Sequence, residues 1–198
     1  MRGFAKLFVV GLIVAFAFTS CAKQPTQELN DAKASIEAAV KEGADIYAKD
    51  ELANVNNALT AAQDEITTQS KKFFKKYGNA KQMLLQVKTD ADAVTALVPA
   101  RKEEAKNNAV TAQTEAKAAL DEAKAFLDKA PKGKGTKADI EAMKADLKGL
   151  EESFPAVQAA LDSQDYFGAK DKAVAIKEKA VSISDQVKAA IAKVTGKK

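Results

Sequence analysis

The chain has no histidine, no tryptophan, one cysteine, four prolines and nine glycines, and only 6% of its residues are aromatic. Without histidine or a second thiol, the usual nucleophile and base pairs cannot be assembled, and zinc sites built from His and Cys are excluded. The expectation is a protein with no catalytic residues, no metal site and no cofactor. A dedicated nucleic-acid binder concentrates positive charge on one face. Here 31 basic residues, less the two near the start, leave 29 against 27 acidic, a balance of +2 that argues against nucleic acid as a partner.

No apolar run is long enough to span a bilayer. The strongest covers about a dozen residues, from Leu7 to Phe18, and follows Arg2 and Lys6, the pattern of a secretory leader. Phe18, Thr19, Ser20 and Cys21 follow on and resemble a lipobox: a bulky apolar residue, two small residues and the cysteine to be acylated, with Phe18 where leucine is usual. A lone cysteine in an exported chain needs an explanation, and a thioether to diacylglycerol supplies one. The expected order is a leader over 1–20, removed on export, a lipidated Cys21 with a polar tether over 21–28, and a helical domain over 29–198. Membrane lipid is thus the first partner, since two or more acyl chains anchor stably. By analogy with enterobacterial sorting rules, Ala22 in place of aspartate favours the inner leaflet of the outer membrane, facing the periplasm.

What is abundant is Ala, Lys, Glu, Asp, Leu and Gln, a helix composition. Ile140, Met143, Leu147, Leu150, Phe154, Val157 and Leu161 recur in alternating steps of three and four, as do Ala173, Ile176, Ala180, Ile183, Val187, Ala190 and Val194. Such seams line one stripe of a helix and require a partner stripe, and the polar Asp162, Ser163, Gln164 and Asp165 between the two suit a turn into an antiparallel neighbour. Leu52, Val55, Leu59, Ala62, Ile66, Gln69 and Phe73 form a third, with Asp50 as the expected cap. Leu29, Ile36 and Val40 begin a shorter helix that Gly43 ends. An Ala-dominated stripe continues from Leu84 to Leu127, with a break expected at Gly78 and Asn79, and a kink or fresh start at Pro99. The fold class is all-α: an elongated antiparallel bundle of coiled-coil-like hairpins, with a sub-boundary in the 131–136 loop. A short similarity at an offset of 121 residues pairs Ala38, Ala39, Val40, Ala48, Lys49 and Asp50 with Ala159, Ala160, Leu161, Ala169, Lys170 and Asp171.

The carboxylate pairs, Glu103 with Glu104 and Glu151 with Glu152, diverge by about 100° on a helix and read as solvated charge. The basic 131–137 stretch lacks P-loop spacing and reads as a hinge. Residues 71–77 read as a strongly amphipathic helical turn. Lys71, Lys72, Lys75 and Lys76 share one face, a candidate contact for an anionic surface, and Phe73, Phe74 and Tyr77 share the other. Because Phe73 continues the third seam, the aromatics are expected in the core with the lysines in water. Lys197 and Lys198 resemble the terminal lysine through which the murein lipoprotein joins peptidoglycan.

Ala44, Tyr47, Ala48, Lys49, Asp50, Glu51 and Leu52, followed by Ala58, Leu59, Ala61 and Ala62, resemble a family of Ala-rich bacterial envelope lipoproteins classed as a domain of unknown function. Its members carry a Tyr-Ala-Pro-x-Glu-Leu turn between two helices, and Lys49 stands in the proline position. The resemblance covers about residues 26–125 and implies a periplasm-facing helical domain with Tyr47, Asp50 and Leu52 as its turn motif. Function is then expected to lie in holding or spacing unidentified envelope proteins, with self-association through Ala-lined seams. The alternative is a structural link between outer membrane and peptidoglycan through the basic C-terminus.

Overall fold

The computed structural model describes residues 23–130 and 137–195, and among these every regular element is a helix. These are α1 (Thr26–Glu42), α2 (Ala44–Tyr47), α3 (Lys49–Ser70), α4 (Gly78–Asp128), α5 (Lys137–Ser153), α6 (Pro155–Asp162) and α7 (Tyr166–Thr195). The chain forms two compact units, one ending at Arg101 and the other beginning at Lys102. Phe18, Thr19, Ser20 and Cys21, the 131–136 hinge, and Lys197 with Lys198 lie outside the described residues.

In the first unit, Ala32, Ile36 and Ala39 of α1, the α3 seam from Leu52 to Ile66, and Ala80, Leu84, Val87, Ala91, Val94 and Val98 of α4 form one core. Alanine at so many seam positions lets backbones approach closely, at the expense of apolar area per residue. Gly43 ends α1 at φ 110°, its N–H donating to the carbonyls of Ala39 and Val40. Val40, expected in the seam, is 43% exposed, because Ala39 takes the core-facing position beside it. Pro99 neither starts a helix nor ends one. It lies inside α4, which runs on through the boundary between the units.

In the second unit, Ala105, Ala109, Ala112, Ala116, Leu120, Ala123 and Leu127 of α4 are all buried, as their spacing requires. Ile140, Leu147 and Val157 are buried from the α5–α6 seam, and Met143, Leu150, Phe154 and Leu161 are half-buried. The seam crosses a break that its regular spacing conceals: Pro155 opens α6 at a first-turn position, where its missing N–H is tolerated. Ala173, Ile176, Ala180, Ile183 and Val187 of α7 complete the core. The polar segment at 162–165 makes the expected turn. Gln164 takes a left-handed conformation at φ 62°, its N–H donates to the Leu161 carbonyl, and the Asp165 N–H donates to Ala160, a Schellman closure.

The helical reading of 71–77 is overturned. Helix α3 ends at Ser70, residues 71–77 are irregular, and Phe73 and Phe74 are 91% and 65% exposed. A continued helix would stack Lys71 on Lys75 and Lys72 on Lys76, like charges four apart that destabilise a helix. Gln69 instead fills the last seam position. Its side-chain carbonyl accepts from the Lys76 N–H at 3.3 Å, its amide donates to Glu65 at 2.8 Å, and its backbone carbonyl accepts from the Lys72 N–H at 3.1 Å. Tyr77, 6% exposed, returns the chain to the core. The break expected at Gly78 and Asn79 is the start of α4: Asn79 lies within its first turn, and its amide faces the Met83 sulfur at 3.6 Å.

Candidate functional site

The two ends of the first unit differ in chemistry. At the far end, α1 reverses into α3 through Gly43, α2 and Ala48. Tyr47 is half-buried against the core, and its ring lies 3.3 Å from where a Cβ on Gly43 would sit. The positive φ favours glycine there, and a Cβ would in addition press on the aromatic ring beside it. Asp50 is not the cap that its position suggests. Ala48 precedes α3 with no side-chain cap, and Asp50 lies exposed in the first turn, where its charge suits the helix dipole. Leu52 is buried, and its N–H donates to the Ala48 carbonyl at 2.9 Å.

Sequence reasoning missed Arg101. Its guanidinium reaches from α4 to that turn, donating to the Tyr47 carbonyl at 3.2 Å and engaging both carboxylate oxygens of Glu51, one of them at 2.8 Å. This fork holds the Glu51 carboxyl below its ordinary value, chiefly through the hydrogen bonds from Arg101. The signal was available: Arg101 is the one arginine beyond the leader, among 29 lysines in the whole chain. Lysine offers no planar fork, so a solitary arginine marks a bidentate partner.

At the near end, the chain enters the fold. Pro25 is buried, α1 begins at Thr26, and Glu28 pairs with Lys81 at 2.6 Å, a contact that holds the Glu28 carboxyl low. Lys23, Gln24 and Pro25 share a hollow of about 380 Å³ with Tyr77 and Gly78, so the entering chain lies beside the end of the 71–77 segment. Lys71, Lys72, Lys75 and Lys76 are all exposed around Phe73 and Phe74, whose rings meet edge to face with centroids 5.0 Å apart.

In the second unit, open grooves run beside α7, one lined by Leu150, Ala156, Ile176 and Lys179. Interhelical pairs brace its surface: Lys124 with Glu151 at 3.2 Å, Lys177 with Glu115 at 2.8 Å, and Lys188 with Glu122 at 3.1 Å. Lys188 also lies 4.5 Å over the Phe126 ring. Among the described residues there is no cluster of three or more His, Cys, Asp or Glu fit for a metal ion, and no helix long and apolar enough to cross a membrane.

No curated protein and no solved structure matches the chain. Residues 27–110 match the family model of a domain of unknown function (DUF4398), a span that takes in nearly all of the first unit's described residues and runs only a little past Arg101.

Proposed function

We propose that the chain is a lipid-anchored, non-catalytic scaffold of the bacterial envelope, held at a membrane by acylated Cys21 and facing the periplasm. The position of that cysteine carries the reading. An apolar leader ends on it, and the fold begins only five residues later at Thr26. A tether this short spans at most about 3.5 Å per residue and keeps the first unit near the bilayer. The resemblance of Ala44, Tyr47, Ala48, Glu51 and Leu52 to the turn of Ala-rich envelope lipoproteins supports the same location. In both units the regular apolar stripes are taken up by helix packing, which leaves long charged helical faces as the surface offered to partners. Such faces suit holding and spacing other proteins.

Cells fed an alkyne analogue of palmitate should label the native chain and leave Cys21→Ser unlabelled and released from the membrane fraction. In-cell crosslinking of the native chain should then yield discrete adducts with envelope proteins. Persistent membrane retention of Cys21→Ser defeats the anchor, and a smear without discrete adducts defeats the scaffold.

A further inference from the structure

The 71–77 segment joins two features that are costly in water alone. Phe73 is almost fully exposed, Phe74 is two-thirds exposed, and both stand between pairs of exposed lysines on either side. Lys71, Lys72, Lys75 and Lys76 take part in none of the ion pairs formed by the described residues. A surface that complements them must be apolar beneath the rings and anionic around them. The boundary of a bilayer containing acidic phospholipid has that profile, since aromatic rings sit at headgroup level and each nearby lysine gains from the surface potential.

The segment's place in the unit points the same way. Helix α1 runs from the entry of the chain to Gly43, and α3 returns from Lys49 to Ser70, so the 71–77 segment and the entry lie at one end. The shared hollow of Lys23 and Pro25 with Tyr77 and Gly78, and the Glu28–Lys81 pair, bring them together. Cys21 precedes Lys23 by two residues, a reach of at most about 7 Å.

The geometry points to a second membrane contact: Phe73 and Phe74 insert at the headgroup boundary of the leaflet that holds the Cys21 acyl chains, and the four lysines rest on anionic phospholipid headgroups. The acyl chains keep the segment at high local concentration beside the bilayer, which raises the occupancy of this contact above what the segment reaches alone. It turns a single-point tether into a two-point seat that sets how the first unit stands on the membrane. The shared leaflet rests on the proposed lipidation, whereas the segment's affinity for anionic lipid does not.

Because the chain lacks tryptophan, Phe73→Trp supplies a single emitter. The purified native chain carrying it is mixed with vesicles of phosphatidylethanolamine and phosphatidylglycerol, or of phosphatidylcholine alone, with bromine near the headgroup on a fraction of the lipids. The expected result is strong quenching at position 73 with phosphatidylglycerol. Ile46→Trp, at the opposite end of the unit, should stay unquenched. Changing Lys71, Lys72, Lys75 and Lys76 together to Gln should lower the quenching at least tenfold at limiting lipid. Equal quenching with phosphatidylcholine overturns the role of the lysines. A blue-shifted emission without bromine quenching, the mark of a protein partner or a second copy, overturns the membrane assignment. A chain that proves unlipidated yet is still quenched only with phosphatidylglycerol removes the anchor and leaves this contact standing.

Discussion

Gly43 and Gln164 occupy the same place in two helical turns 121 residues apart, and both adopt the left-handed backbone, at φ 110° and 62°. The hydrogen bonds around them correspond. The N–H of each donates to the carbonyl three residues before it, Val40 at 2.9 Å and Leu161 at 3.0 Å. Downstream, Ala48 donates to Ala44 as Ala169 donates to Asp165. Burial repeats as well. Ile46 and Phe167 are 50% and 49% exposed, and the α3 seam of Leu52, Val55, Ala62 and Ile66 falls at the same offset from buried Ala173, Ile176, Ile183 and Val187. Each unit thus contains one copy of a hairpin, packed on its own half of α4. The two copies differ downstream, where Ala48 interrupts the first at φ −142° while α7 runs unbroken through Ala169.

The two turns should respond oppositely to exchange of their central residues. Gly43→Ala forces a Cβ into the left-handed region and against the Tyr47 ring, and should cost about 1–2 kcal/mol in urea denaturation. Gln164→Gly relieves the same backbone penalty and should be neutral or stabilising by up to about 1 kcal/mol. Equal losses at both positions would show that the turns are not equivalent.

Asp165 caps α7, its carboxylate accepting from the Gly168 N–H at 3.0 Å, and a Cβ on Gly168 would come within 2.1 Å of that carboxylate. Asp165→Ala should cost about 0.5–2 kcal/mol. Gly168→Ala alone should bring no gain, because the cap must swing away. In the Asp165→Ala background it should stabilise by up to about 1 kcal/mol, the ordinary helical advantage of alanine. An additive double-mutant cycle would refute the clash.

The Arg101 fork predicts a pH dependence of definite sign. The Glu51 carboxyl lies below its ordinary value in the folded state, so its contribution is complete above an unfolded pKa of about 4.3 and is lost as pH falls through the folded value. The stability gap between the native chain and Glu51→Gln should therefore be constant at neutral pH and close in acid. Arg101→Lys should lose most of the gap at neutral pH despite keeping the charge, since one ammonium does not span both oxygens. A gap that widens in acid would overturn this.

Phe73 and Tyr77 show where reading the sequence succeeds and where it stops. Stripes with steps of three and four were legible because burial of one helix face imposes that spacing, and the alanines from Ala105 to Ala123 are buried as their positions require. Both helical ends made by left-handed residues were equally plain, one from its glycine and the other from its polar turn. Periodicity carries no sign of where a helix stops, however, so Phe73 fitted a seam that had already ended at Gln69. A seam also passes unaltered across Pro155 when the proline opens a new helix in near-helical geometry. The reach of Arg101 to Glu51 joins residues fifty apart on different helices, which no local pattern encodes.

The exposure of Phe73 and Phe74 makes a claim about stability independent of any membrane. Phe73→Ser with Phe74→Ser should leave the denaturation midpoint in water within about 0.5 kcal/mol of the native chain, the usual bound for surface changes. Tyr77→Ala, which empties a core position, should cost about 3 kcal/mol or more. A large loss from the phenylalanine pair would return them to the core.

Pro99 lies two residues before the division between the units, inside a 51-residue helix. Proline has no N–H, so the Thr95 carbonyl loses the partner that α-helical geometry would give it, and the ring crowds the preceding turn. Val98 beside it is fully buried, and Arg101 one turn later holds the far-end clamp, so packing by the first unit keeps this stretch helical despite its proline. Pro99→Ala restores the missing bond and should slow amide exchange selectively over residues 96–103, with a gain in stability of about 1–3 kcal/mol set against the greater freedom of the unfolded chain. If exchange there is unchanged, the proline is already accommodated without loss. If exchange quickens, the ring itself is part of the packing that holds this stretch of α4 helical.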